Sequence, residues 1–193
     1  MSYDPDKHHR RSIRLKGYDY TQAGAYFVTL CTWQRECLFG EIVGGKMQLN
    51  DCGRVLEEEW LHTAVVRPNV DLDAFVIMPN HMHGIIVICD NPVGASRRLA
   101  PTDTSRRLAP TGASPRIVAG SLGAMIGQIK SITTKRINAL RHTPGQAVWQ
   151  RNYHDHIIRS ETALNNIRQY IAHNPMRWAE DEENPDQRPS QSV

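Results

Sequence analysis

The chain contains no run of about 18 or more apolar residues, which excludes a transmembrane helix of ordinary length. Its opening, MSYDPDKHHR, is polar and lacks the apolar centre of a signal peptide, so a cytoplasmic location is expected. Cysteine is scarce. Cys31, Cys37, Cys52 and Cys89 include no Cys-x-x-Cys pair, so neither a zinc knuckle nor a disulfide frame is expected, and they read as reduced, mostly buried thiols. Acids are almost missing from residues 97–141, where nine Lys/Arg face Asp103 alone. Bases are almost missing from residues 180–193, where five acids face Arg188. The basic middle suits a polyanionic partner or is simply an uneven surface, and the acidic end is expected to be solvated.

What remains, in 193 residues of which 40% are hydrophobic, is enough for one domain with an insertion. A polar arm is expected over residues 1–20, a single domain over 21–180 and a disordered acidic tail over 181–193. Residues 26–32, rich in aromatic and β-branched types, read as a first strand. Residues 36–49 fit a short hairpin around Gly44-Gly45. Asn50 or Asp51 can cap a helix whose apolar positions are Cys52, Val55, Leu56 and Trp60. Arg67-Pro68-Asn69 breaks that helix. Residues 72–78 and 81–89 then read as two strands, joined through Pro79-Asn80 as an antiparallel pair.

The heptapeptide SRRLAPT occurs at residues 96–102 and again at 105–111. Two copies are too few for a solenoid, and the composition predicts a flexible insertion over about 91–116. Ser121 can cap a second helix with Leu122, Met125, Ile126, Ile129, Ile132, Ile137 and Leu140 on its apolar face. A fourth strand is expected within 148–158. Ser160 opens a third helix carrying Leu164, Ile167, Tyr170 and Ile171 on one stripe, and Pro175 disfavours helical geometry at Asn174. The order β-α-β-β-α-β predicts an α+β, ferredoxin-like fold with an additional C-terminal helix. Two helices should cover one face of a four-stranded antiparallel sheet, with the other face left for the third helix or for ligand.

His81 and His83 lie two residues apart on a predicted strand, so their imidazoles share a face. That arrangement can hold a metal ion, and it also occurs where histidines merely line a half-polar sheet. Two neutral imidazoles suit Mn, Zn or Co, and an added oxygen ligand favours a hard, phosphate-activating ion. Tyr170 alone reads as a packing residue with its hydroxyl at the rim. Asn174, one turn later, brings an amide oxygen beside it, within reach of the same ion. His173 is the second choice. His154 and His156 form another same-face pair, read as structural or as contacting a nucleic acid. Trp149 and Trp178 read as core or rim residues, or as stacking platforms.

The Met78-Pro79-Asn80-His81-Met82-His83-Gly84 segment resembles the His-hydrophobe-His (HUH) motif of single-tyrosine HUH nucleases. Residues 149–159 and Tyr170-Ile171-Ala172-His173-Asn174-Pro175 look like the later motifs of REP-associated tyrosine transposases. The likeness spans about residues 26–178, and the three motifs follow the family order. It implies that His81, His83 and Asn174 hold a divalent metal, Mg or Mn, and that Tyr170 is the catalytic nucleophile. The implied substrate is single-stranded DNA with hairpins from repetitive extragenic palindromes, in a nucleoid-associated protein acting as a monomer or homodimer. Cleavage and rejoining would pass through a 5′-phosphotyrosine, with Lys130, Lys135, Arg136 and Arg151 binding DNA. The Arg/Pro repeat departs from the family pattern and reads as an inserted loop.

Two other readings share the same residues. A ferredoxin-like sheet can bind nucleic acid without chemistry, although the strand bearing His81, His83 and Ile85 carries no stacking ring. A zinc-dependent hydrolase would need a third firm ligand and a base, and would form no covalent adduct.

Overall fold

The computed structural model describes residues 18–90 and 118–187. All but the last three residues of the expected arm, the insertion over 91–116 with its repeat, and the final six residues lie outside them. Six strands and three α-helices follow in the order β1 (Gly24–Cys31), β2 (Gly40–Val43), β3 (Lys46–Leu49), α1 (Asp51–Val65), β4 (Val70–Ile77), β5 (His81–Ile88), α2 (Leu122–Arg141), β6 (His154–Ile158) and α3 (Glu161–His173). The strands β4-β5-β1-β6 form an antiparallel sheet in that spatial order, and β2-β3 form a separate hairpin. With the hairpin set aside, the chain runs β-α-β-β-α-β, and the two central strands, β5 and β1, are not consecutive. This is the α+β, ferredoxin-like arrangement.

Alternation along the strands separates two faces. Tyr26, Val28 and Leu30 of β1, with Met82, Ile86 and Ile88 of β5, pack under α1 and α2 in the main core. Trp60 of α1 lies so close over β5 that a Cβ at Gly84 would run into its indole, so glycine is required there. The opposite face is covered by α3, whose Ile171 packs with Ile85 and Ile158. Each helix begins at the residue its sequence marks. Asn50, Ser121 and Ser160 accept from the backbone N–H of Gly53, Ala124 and Ala163. The chain leaves α3 at His173, one residue before Asn174-Pro175, and tightens into a 3-10 helix over Asn174–Glu180.

One boundary differs from expectation. Residues 181–187, assigned from their acidity to a disordered tail, fold back onto the domain. Asn184 is buried and donates to the Trp178 carbonyl oxygen, and the Glu183 carboxylate pairs with Arg35. Among the described residues, no helix is long and apolar enough to cross a membrane.

Candidate active site

The odd-numbered residues of β5 face α3, so the period of the strand delivers His81 and His83 to one place, with ring centroids 4.7 Å apart. On the neighbouring strand Thr29 lies directly opposite His83, and its Oγ1 is 2.8 Å from His83 Nδ1. Phe27 stacks on the His83 ring at 5.4 Å. Tyr170, near the end of α3, brings its hydroxyl to 3.2 Å from His83 Nε2. Both histidines are buried while the tyrosine remains 47% exposed, so the nucleophile candidate is open to solvent and the metal-ligand candidates are not.

The 3-10 helix after α3 turns the chain back over the histidines. Trp178 places its ring 6.1 Å from that of His81. Asp181 follows, with Oδ2 3.8 Å from His81 Nε2 and Oδ1 accepting from the Glu183 N–H at 2.7 Å. One donor atom from each of His81, His83 and Asp181 lies within 4.8 Å of the others. The sequence does not announce Asp181, because an acidic run of this kind reads as solvated. The one available signal was Trp178, a large apolar residue that anchors the segment just before it.

Burial makes the charged imidazole costly. It lowers the His81 pKa to about 4, with nearby Arg35 adding to the effect. It lowers that of His83 to about 3, with His81 adding and Asp181 opposing. Both rings are therefore neutral at pH 7, with lone pairs available to a cation. The Tyr170 pKa is raised, first by burial and then by Asp181, while a side-chain hydrogen bond from Asn174 works in the other direction. His81 Nε2 and Asn174 Oδ1 are buried without a hydrogen-bond partner among the described residues. An unsatisfied buried polar atom costs about 1–3 kcal/mol, and a bound cation would relieve that cost. The donor chemistry, two imidazoles with a carboxylate, fits a divalent metal.

The groove beside these groups measures about 960 Å³ and is lined by Phe27, His83, His154, Tyr170, Asn174 and Asp181, among others. His154 and His156 do share the site face, opposite Thr29 and Phe27. The four residues expected to bind DNA are not brought to this groove. Three of them sit on α2, whose apolar stripe binds it to the other sheet face. Lys130 Nζ is spent on the carbonyl oxygens of Gln150 and Asn152, at 2.9 and 2.7 Å, and burial lowers its pKa to about 8. Arg136 pairs with Glu58 and Glu59 of α1. Lys135 and Arg151 are exposed but lie outside the lining. The groove rim is instead acidic, with Glu180, Glu182 and Glu183 beside Asp181.

No family model matches the chain. An uncharacterized protein of Haemophilus influenzae is 39% identical over 180 residues, covering 93% of this chain and 96% of that protein. A solved structure of a REP-associated tyrosine transposase bound to a REP hairpin has a TM-score of 0.52 and 17% identity, over 86% of this chain and 74% of its own. At that identity the likeness is one of fold alone. The chain belongs to the same family as the Haemophilus influenzae protein, and it has the fold seen in that tyrosine transposase.

Proposed function

We propose that the protein is a metal-dependent tyrosine nuclease and strand transferase of the HUH class, acting on hairpin-bearing single-stranded DNA. The observation that carries this reading is the Tyr170 hydroxyl 3.2 Å from His83 Nε2, beside a cluster of two neutral imidazoles and a carboxylate. His81, His83 and Asp181 would hold the metal, with Asn174 Oδ1 as a further oxygen donor. When bound, a divalent ion such as Mn or Mg supplies Lewis-acid polarisation of the scissile phosphate.

The protein's own share of the chemistry follows from its residues. Tyr170 Oη forms a bond to phosphorus, and the bond from phosphorus to the 3′ oxygen breaks. The phenolic proton passes to solvent in the open groove, and the leaving 3′ oxygen takes one up. The product is a 5′-phosphotyrosine, which conserves the phosphodiester energy for rejoining. Phe27, stacked on His83 and edge-on to Tyr170, keeps both rings in place. The DNA would carry repetitive palindromic hairpins, as in the solved complex of the fold neighbour. A purely binding module is less well supported, because α3 covers the sheet face on which bases would stack.

The test is denaturing electrophoresis of end-labelled hairpin strands with Mn or Mg. Wild type should form a metal-dependent covalent adduct, and Tyr170→Phe should form none while still shifting the hairpin in a native gel. An adduct that persists in Tyr170→Phe removes the nucleophile from this account.

A further inference from the structure

Asn80 ends the tight connection between β4 and β5 and is completely buried. Its side chain makes three hydrogen bonds. Nδ2 donates to the carbonyl oxygens of Arg35 at 3.1 Å and Glu183 at 2.7 Å. Oδ1 lies 2.8 Å from His81 Nδ1. The orientation of an asparagine amide is decided by its partners. Two carbonyl oxygens can only accept, so the NH2 group must face them and Oδ1 must face the histidine. Oδ1 can in turn only accept, so His81 Nδ1 must carry the proton. This leaves Nε2 as a bare lone pair, and it is that nitrogen which is buried without a partner and faces Asp181. Thr29, in the corresponding place on His83, has no such authority, because a hydroxyl both donates and accepts.

The same amide reaches the third ligand candidate. Glu183, whose carbonyl oxygen Asn80 binds, donates its N–H to Asp181 Oδ1. That contact occupies Oδ1 and turns Oδ2 toward His81. The Asn80 side chain thus reaches a carbonyl oxygen 103 residues farther along the chain. We propose that Asn80 is the positioning residue of the metal centre: it holds His81 in the Nδ1–H tautomer and tethers the turn that presents Asp181. The inference rests on the metal-centre reading above. It extends it to a residue that touches neither metal nor DNA.

The first measurement is ¹⁵N NMR of the imidazole nitrogens in metal-free wild-type protein at neutral pH. His81 should show a protonated Nδ1 and an unprotonated Nε2, whereas a free imidazole favours the reverse. An Nε2–H tautomer in wild type overturns the proposal with no variant needed. The second measurement is Mn²⁺ affinity, from the electron paramagnetic resonance signal of the free aqua ion. Asn80→Ala should shift His81 toward Nε2–H and weaken Mn²⁺ binding roughly 10–100-fold, the range for lost outer-shell partners of metal ligands. Should that variant not fold, the tautomer of His81 in the wild type decides the proposal by itself. A merely structural asparagine would lower the melting temperature and leave the tautomer unchanged, which overturns the proposal. Wild type that binds Mn²⁺, with Asn80→Ala binding equally well, defeats this inference alone. Wild type that binds no Mn²⁺ defeats the metal-centre reading and this inference together.

Discussion

Asp181 and Asn174 offer different donor atoms to the groove that they line together. Asp181 offers an anionic oxygen facing His81, while Asn174 offers a neutral amide one turn beyond the tyrosine. Asp181→Ala removes charge from the donor set and should weaken Mn²⁺ binding by more than the roughly 10–100-fold expected of outer-shell losses. Asn174→Ala should cost less in affinity and more in cleavage rate, because the Asn174 hydrogen bond works against the raised pKa of Tyr170. Mn²⁺ titration beside single-turnover adduct formation separates the two, and equal effects on both quantities would refute the division. The placement of His81 and His83 on one strand face, and of Tyr170 and Asn174 one helical turn apart, was legible in the sequence because periodicity sets it. Asp181 was not, since no spacing rule links a strand to a turn about 100 residues later.

Among the three α-helices, α3 buries the fewest residues. Only Ile171 is fully buried on it, whereas α2 buries Leu122, Met125, Ile126, Ile129 and Ile137. Ala163, Leu164 and Ile167 pack beside Ile171, and Arg168 donates from Nε and Nη2 to the two carboxylate oxygens of Asp73, at 2.9 and 2.6 Å. Asp73 lies where the β4-β5 register shifts, between Leu72 and Phe75, an irregularity no sequence pattern announced. Solvent screens a part-exposed pair of this kind, so Ile171 carries more of the docking. Ile171→Ala should lower unfolding free energy by about 2–4 kcal/mol. It should also slow adduct formation with little change in Mn²⁺ affinity, since the histidines stand on β5. Urea unfolding and the adduct assay check this, and an unchanged rate would mean that Tyr170 is positioned by other contacts.

For the molecule as a whole, the buried histidines couple folding to pH. An unfolded histidine titrates near 6.5, whereas His81 and His83 in the fold titrate at about 4 and about 3. Between these values the unfolded chain binds protons that the folded chain refuses. The stability they confer is fully present above about pH 6.5 and is lost as pH falls through 4 and 3. Each imidazole contributes a slope of up to about 1.4 kcal/mol per pH unit in that window. Urea melts of metal-free protein at pH 7.5, 6 and 5 should show this decline, and the His81→Ala, His83→Ala double variant should flatten it. A flat wild-type profile would show that the rings are not buried as described. The groove's charge makes a separate prediction. Glu182 is exposed on the rim, where it repels phosphate. Glu182→Gln should tighten binding of a single strand about twofold at low salt, with the gain fading as salt is raised. Fluorescence anisotropy measures it, and weaker binding would place the DNA elsewhere.

Local information was sufficient wherever a physical rule acts over a few residues. Strand alternation put His81 and His83 on one face, the helical repeat put Tyr170 and Asn174 on another, and the asparagine and serine caps marked where each helix begins. The β-α-β-β-α-β order followed from those elements. Long-range geometry decided the rest. The tertiary fold brought Asp181 back to the histidines through the Trp178 turn, and it oriented Asn80 between His81 and the Glu183 carbonyl. It also committed Lys130 and Arg136 to internal partners, because their helix buries its apolar stripe on the sheet face away from the groove. A sequence records each side chain's chemistry, but which carbonyl or carboxylate faces it from a distant segment is set only once the core has closed.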